Sequence, residues 1–208
     1  NIRKSVLYLL CCNLSEVVVV LAGIVLGLPS ILLPLQILWI NLVTDVAPAL
    51  ALALDPAEPD VMKRPPKKRQ EDILSRWHMA NIVFYGLIIS LGVFAAYGFS
   101  IRFHPGDIAR ATELCFHTLV FAQLFFVFNV RGRSLLRNPG QVHSNPWLLA
   151  GVGFSGLLQF SIGHLPIMQV LLDITPLSSV EWVTVFSCAL LPSLVAQVRK
   201  LFGKDMVR

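Results

Sequence analysis

Two short apolar stretches of the sequence carry carboxylates and neutral oxygen donors. In CCNLSEVVVV, Asn13 and Glu16 are three residues apart and therefore share one face of a helix. In NLVTDVAP, the residues Asn41, Thr44 and Asp45 follow the spacing i, i+3, i+4, which again predicts one helical face. All five side chains offer hard oxygen donors, which favour Ca²⁺, Mg²⁺, Mn²⁺ or Na⁺ over zinc or copper.

Glu16 and Asp45 lie at similar distances in sequence from the turn GLPS at residues 27–30. Two antiparallel helices joined there would bring both carboxylates to the same depth in a membrane. Each carboxylate costs about 2.5–3.5 kcal/mol to insert, and like charges at close range add to that cost. A bound cation compensates directly. We therefore favour ion binding over the alternative, a polar network that only holds helices together.

Two further residues bear on this pattern. Pro48 has no N–H, so the carbonyl of Thr44 loses its helical partner and becomes available to a cation. Gln123, in a later apolar segment, can face the same site as a neutral ligand or make an interhelical hydrogen bond, and the sequence leaves both possibilities open. His117, in the same segment, is interpreted as a core or interface histidine.

The elements that must position these residues are membrane helices. The 208 residues are 55% hydrophobic and only 14% charged, which excludes an ordinary soluble domain. A span needs about 20 apolar residues. The sequence predicts an all-α integral membrane bundle of six transmembrane helices, over residues 6–28, 31–54, 82–103, 111–130, 147–164 and 180–198. The chain has no initiator Met and no signal-peptide cleavage site, so we expect it to be part of a longer protein.

The positive charge is unevenly distributed along the chain. Of the seventeen Lys and Arg residues, fifteen fall before the first span or after the second, fourth and sixth spans, and only Arg102 and Arg110 lie elsewhere. This asymmetry predicts that both termini face the cytoplasm. It also explains the net charge of +5 through a lipid bilayer rather than through nucleic acid. None of the four cysteines has CxxC spacing, so neither a disulfide framework nor a zinc site is indicated.

The stretch NLSEVVVVLAGIVLGLPSILLPLQILWINLVTDVAPALALALDPAEPDVMKRPP closely resembles helices five and six of P-type cation-transporting ATPases, most of all the calcium-pump branch. The motif pair N-x-x-E and N-L-V-T-D, followed by D-x-M-x-R-P-P, is highly specific, and weaker similarity covers the remaining spans. The resemblance implies helices five to ten of a ten-helix pump. It divides the chain into an ion-site hairpin at 1–54, a cytoplasmic loop at 55–76 and a four-helix subdomain at 77–208.

The resemblance also implies roles for single residues. It assigns the transported ion to ligands at Asn13, Glu16, Asn41, Thr44, Asp45 and Gln123. In the family, the position of Asp45 is shared between ion sites. Gln123 stands where the reticulum calcium pumps have Glu, and this departure leaves open a one-ion stoichiometry or a different ion.

Several parts of such a pump are absent from the sequence. It contains neither the D-K-T-G-T phosphorylation motif nor the P-E-G-x-L motif of the fourth helix. ATP and Mg²⁺ would act in the rest of the full-length pump. The partners of this chain would be the other domains of that pump, its helices one to four and the lipid bilayer. We therefore expect the membrane region of an ATP-driven pump, with Ca²⁺ as the favoured ion. The alternatives are a pump for Na⁺, Mn²⁺ or H⁺, an ATP-independent transporter or channel, and a structural bundle without ion affinity.

Overall fold

The computed structural model describes residues 1–56, 74–131 and 144–202, and the secondary structure in these ranges is helical. Most of the predicted loop at 55–76 lies outside the described residues. Six helical segments are long and apolar enough to cross a membrane: Ile2–Val25, Pro34–Ala53, Arg76–Phe103, Ile108–Arg131, Pro146–His164 and Ser179–Leu201. They confirm the predicted all-α bundle of six spans, and we refer to them as spans one to six.

Three of the spans are interrupted or extended by irregular turns. Span two consists of α2, a π-helical turn at Ile40–Thr44 and α3, and spans four and five end in short 3₁₀ turns. The α-helices are α1 (Ile2–Val25), α2 (Pro34–Trp39), α3 (Val46–Ala53), α4 (Arg76–Phe103), α5 (Ile108–Phe126), α6 (Pro146–Ser161), α7 (Pro166–Leu172) and α8 (Ser179–Leu201).

Several helix limits differ from the sequence prediction, by up to six residues, and two differences have a clear local reason. Helix α4 begins at Arg76 instead of residue 82, because His78 Nδ1 accepts a hydrogen bond from the backbone N–H of Ser75 and closes the first turn. A count of apolar residues misses this polar first turn. The short helix α7, which starts at Pro166, was also not predicted, since it is too short to give a membrane-spanning pattern.

The turn between the first two spans is built on a glycine. Gly27 has a φ of +66°, a backbone conformation that favours glycine. The N–H of Leu28 then reaches back to the carbonyl of Gly23 at 2.9 Å and satisfies one of the last carbonyls of α1. The chain enters α2 at Pro34, in the first turn, where a missing N–H costs nothing. The turn makes α1 antiparallel to span two.

Helix α5 forms the centre of the bundle. It packs mainly against α4 and α8, and α4 in turn packs against α1. Nearly every side chain of α5 is buried, whereas α6 and α8 turn large apolar side chains outward, for example Leu157 and Val183. A soluble protein rarely exposes so much apolar surface, but a lipid bilayer covers it. The chain is accordingly a multi-pass integral membrane protein.

A buried ion-pair cluster ties four elements together beside the C-terminal end of α3. The carboxylate of Asp55 accepts from Lys4 Nζ at 3.0 Å, from Arg131 Nε at 3.0 Å and from Asn145 Nδ2 at 3.2 Å. Burial by itself raises the pKa of Asp55, but the hydrogen bonds from Arg131 and Lys4 outweigh burial and hold that pKa below its ordinary value. We call these four residues the Asp55 cluster.

A second cluster joins the opposite end of α5 to α8. The guanidinium of Arg110 donates to both carboxylate oxygens of Glu181, at 2.5 and 2.6 Å, and to Glu113 at 2.9 Å. The backbone N–H and the hydroxyl of Thr175 each donate to Glu113 at 2.9 Å, which anchors the loop before α8. Bidentate pairs of this kind fix orientation as well as distance. The bundle is thus held at both ends of its central helix.

The Asp55 cluster predicts a large effect of one substitution on stability. Asp55→Asn should lower the free energy of unfolding by about 3 kcal/mol, because it removes a buried carboxylate that pairs with both Lys4 and Arg131. Thermal unfolding in detergent measures the difference from the parent protein. Asp173→Asn is the matched control, since Asp173 is exposed and its left-handed backbone suits Asn.

The pH dependence of this difference follows from the lowered pKa of Asp55. A carboxylate with a depressed folded pKa contributes its full stability above its unfolded pKa of about 3.9. The advantage of the parent over Asp55→Asn should therefore hold from pH 7 down to about 4. It should shrink only at lower pH, as the folded carboxyl takes up a proton. A difference that disappears between pH 7 and 5 would contradict the assignment.

Candidate cation site

The carboxylate of Glu16, on span one, is hydrogen-bonded to side chains of spans two and four. Its Oε2 accepts from Asn41 Nδ2 of the π-helical turn at 2.7 Å, and its Oε1 accepts from Gln123 Nε2 of α5 at 3.1 Å. Glu16 and Gln123 are both buried. The structure therefore brings Gln123 to the predicted site, where it makes an interhelical hydrogen bond; its role as an ion ligand stays a prediction.

Asp45 lies immediately after the π-helical turn and is 1% exposed. Its Oδ1 accepts from the hydroxyl of Tyr8 on α1 at 3.3 Å. Among the described residues, its Oδ2 has no hydrogen-bond partner, and neither has Oε1 of Gln123. Each unsatisfied buried polar atom costs about 1–3 kcal/mol. The two carboxylates, Asp45 and Glu16, are also close enough to interact electrostatically.

The backbone break in span two follows from its sequence. The N–H of Asp45 bonds to the carbonyl of Ile40, five residues back, and the Thr44 hydroxyl donates to the same carbonyl at 2.8 Å. Because Pro48 has no N–H, it cannot bond to the carbonyl of Thr44. This carbonyl instead accepts from the hydroxyl of Ser155 on α6, at 3.3 Å. The predicted irregular backbone is present, and the freed carbonyl has found a side-chain donor.

The six predicted ligand residues do not all meet. Hydrogen bonds join Glu16, Asn41 and Gln123 directly, whereas Asp45 and Thr44 lie at the end of the π-helical turn. Asn13 is on the exposed side of α1, and the described contacts do not connect it to the others. Asn41 is exposed as well. The cluster is therefore closed towards the bundle interior and open on the side of Asn13 and Asn41.

The donor set suits a hard cation more than a transition metal. Within residues 1–56, 74–131 and 144–202, no group of three or more His, Cys, Asp and Glu side chains could hold a metal. Glu16 and Asp45 provide carboxylate oxygens, and the neighbouring side chains that donate to them, Asn41, Gln123 and Tyr8, each carry a further oxygen. Such oxygens are the ligands of Ca²⁺ and Na⁺. The unpaired Oδ2 of Asp45 and Oε1 of Gln123 are acceptors that a cation would satisfy.

Sequence reasoning missed two side chains that shape the site. Tyr8 is eight residues before Glu16, so a search of the same helical face for polar side chains would have found it. Ser155 is a single hydroxyl within an apolar helix, distant in sequence from Thr44. Its partner depends on how α6 packs against span two, and no spacing rule indicates that contact.

Comparison with known proteins gives consistent matches over the chain. The family model described as "Cation transporting ATPase, C-terminus" matches residues 29–202. A protein named "Calcium-transporting ATPase" from Bacillus subtilis is 36% identical over 197 residues, which are 94% of this chain and 22% of that protein. "Calcium-transporting ATPase 1" of Bacillus cereus is 31% identical over 220 residues, covering 99% of this chain and 25% of its own length.

A third relative carries a broader name. "Probable cation-transporting ATPase F" of Mycobacterium tuberculosis is 29% identical over 206 residues, which are 98% of this chain and 22% of that protein. The chain thus spans a quarter or less of the length of the curated relatives that it matches.

The hydrogen bond from Tyr8 predicts a measurable effect on ion binding. Tyr8→Phe should weaken Ca²⁺ binding by the full-length protein about fivefold, because Asp45 loses a donor that orients its free Oδ2, worth about 1 kcal/mol. Equilibrium titration with Ca²⁺ measures the change. Tyr97→Phe removes the same hydroxyl from α4, where the described contacts do not link it to Glu16 or Asp45, and should match the parent. Equal affinity of Tyr8→Phe and the parent would remove Tyr8 from the site.

Proposed function

The chain belongs to the family of cation-transporting ATPases, as their C-terminal region, and from this we propose that it forms the last six membrane helices of an ATP-driven pump. The proposed cargo is Ca²⁺, which enters and leaves as substrate. The observation that carries the proposal is the buried pair Glu16 and Asp45, with an acceptor oxygen of Asp45 left unpaired among the described residues of the bundle. The names of two relatives support the choice of ion.

The proposed ligands fall into two groups. Glu16 and Asp45 supply the charge, and the neutral oxygens come from Asn13, Asn41, Thr44 and Gln123. The open side beside Asn13 and Asn41 is where helices one to four of the full-length pump would complete the coordination. Calcium takes 6–8 oxygens, whereas the buried Glu16, Thr44, Asp45 and Gln123 offer about six side-chain oxygens at most, and several of these already take part in hydrogen bonds. This is why we propose that the chain holds one part of the ion site and the rest of the full-length pump holds the other.

The charge of the site favours one divalent ion. With Gln123 in place of a carboxylate, the two acidic side chains that this chain contributes to the site carry a formal charge of −2, which matches the charge of a single Ca²⁺. The Nε2 of Gln123 also occupies one oxygen of Glu16 as a hydrogen-bond donor. Both features support a one-ion stoichiometry. Competition by Na⁺ and Mn²⁺ in the same binding assay decides between Ca²⁺ and the other candidate ions.

The orientation and division of the chain are also part of the proposal. The distribution of Lys and Arg supports cytoplasmic termini. The segment 1–54 would act as the ion-site hairpin, 55–76 as the loop that contacts the phosphorylation domain, and 77–208 as the supporting subdomain. ATP and Mg²⁺ would act in the remaining domains of the full-length pump, since ion binding in the membrane must be coupled to phosphorylation elsewhere.

Replacing Asp45 tests the proposed function. In the full-length protein, Asp45→Asn should weaken the Ca²⁺ dependence of phosphoenzyme formation from ATP by about thirtyfold or more, because losing one charged partner of a buried site costs about 2–5 kcal/mol. Asp173→Asn is the control for a loss of negative charge at an exposed position. Phosphorylation is followed with radiolabelled ATP over a range of free Ca²⁺.

Two results would contradict the proposal. One is an unchanged Ca²⁺ dependence of phosphorylation in Asp45→Asn. The other is Ca²⁺ flux, without ATP, through the purified six-span chain in liposomes. That flux would favour the channel or ion-coupled transporter, whereas we expect none from a chain that holds only part of the site.

A further inference from the structure

One face of α6 follows the broken span closely. Gly151, Ser155 and Gln159 are spaced i, i+4, i+8 and therefore form a single row along the helix. We propose that this row, which we call the α6 row, is a positioning element that sets the shape of the backbone break in span two. The proposal rests on the proposed function, since it assigns the break to an ion site and asks what holds it in place.

Ser155 acts on the carbonyl that the break exposes. It is fully buried, and its hydroxyl donates to the carbonyl oxygen of Thr44 at 3.3 Å. The usual helical donor to that carbonyl is missing, because the residue four positions on is Pro48, which has no N–H. The hydroxyl therefore fixes the direction of a peptide group that lies directly before Asp45. Without this donor, the peptide keeps the bond from the Asp45 N–H to the carbonyl of Ile40 but loses the constraint on its own carbonyl, so the Asp45 carboxylate is held less firmly.

Gly151 lets α6 come close to the backbone just beyond the break. A Cβ at this position would lie 3.1 Å from the carbonyl oxygen of Ala47 and 3.5 Å from the nitrogen of Pro48. Both distances involve backbone atoms, which cannot move aside as a flexible side chain does. Two residues further along, a Cβ added at Gly153 would meet no described atom within 4 Å. Helix α6 therefore has little room for a side chain at 151 and has room for one at 153.

Gln159 holds the segment just before the break. Its Oε1 accepts from the indole N–H of Trp39 at 2.9 Å, and Trp39 is the last residue of α2. Its Nε2 lies 3.1 Å from Nδ1 of His117 on α5. His117 is buried, as expected for a core histidine. Gln159 thus connects the start of the break to α5, the helix that also carries Gln123.

The three contacts enclose the π-helical turn from one side. Gln159 contacts the residue before it, Ser155 contacts its last carbonyl, and Gly151 contacts the backbone after it. The outer face of α6 is apolar and exposed, for example at Phe154 and Leu157. The described contacts do not place any member of the row on Glu16 or Asp45. The row therefore acts on the site through the backbone of span two, not as a ligand.

Two single substitutions with matched controls test this role in the purified full-length protein. Ser155→Ala removes the hydroxyl, and Gly151→Ala pushes the backbone of span two away. Their controls on the same helix are Ser161→Ala, whose hydroxyl bonds within its own helix to Leu157, and Gly153→Ala. Calorimetric titration with Ca²⁺ gives affinity and stoichiometry separately, and thermal unfolding without Ca²⁺ reports the fold.

A positioning role predicts a specific pattern of results. Ser155→Ala and Gly151→Ala should weaken Ca²⁺ binding about threefold to tenfold at the stoichiometry of the parent, as expected for one lost hydrogen bond. Ser161→Ala and Gly153→Ala should bind as the parent does. Because Gly151→Ala can fail to fold, Ser155→Ala, the smaller change, decides the question.

Two outcomes would overturn the inference. One is parent-like affinity in Ser155→Ala. The other is a lower stoichiometry and unfolding temperature at unchanged affinity, which would show a role in folding alone. Asp45→Asn in the same titration separates this inference from the proposed function. If Asp45→Asn abolishes binding while Ser155→Ala has no effect, the proposed ion site stands and the α6 row falls; if Asp45→Asn binds as the parent does, both fall.

Discussion

Two carboxylates buried inside an apolar bundle are the constraint on which the rest of this structure depends. Glu16 and Asp45 are each at most 5% exposed. Neither could remain there without donors, and Tyr8, Asn41 and Gln123 supply them. The donors do not saturate the site, because Oδ2 of Asp45 remains unpaired among the described residues. A bundle selected only for stability would not keep this cost. A site that must gain and lose a cation needs acceptors that are incompletely satisfied when it is empty.

Because the site keeps unpaired acceptor oxygens, the helices around it must be held in place by other interactions. The Asp55 cluster and the ion pairs of Arg110 lie at opposite ends of α5, and between them they connect α1, α3, α5, α6 and α8. Buried ion pairs contribute little net stability, but they define geometry sharply. The helix ends are therefore fixed by ion pairs, whereas the middle of span two is held by hydrogen bonds from uncharged side chains such as Tyr8 and Ser155.

The sequence predicts the frame better than the details of the site. Six spans follow from apolar length, and the approach of span two to Glu16 follows from equal distances to the turn at Gly27. Pro48 correctly indicates a broken helix, since a missing N–H is a local property. The π-helical turn and the donor Ser155 could not be predicted, because they depend on which neighbour packs against the freed carbonyl. Local chemistry shows that a partner is needed, and only the tertiary structure shows which one.

The site is asymmetric, and its two sides suggest different tasks. On the inner side, α5 and α6 contact span two through side chains that are almost completely buried, among them Gln123, Ser155 and Gln159. On the outer side, Asn13 and Asn41 are exposed. An ion that enters from outside the described bundle would meet exposed amides first and fixed carboxylates last. In the pump that we propose, helices that complete the coordination on the outer side would move against the inner side, and such movement would couple the ion site to phosphorylation elsewhere.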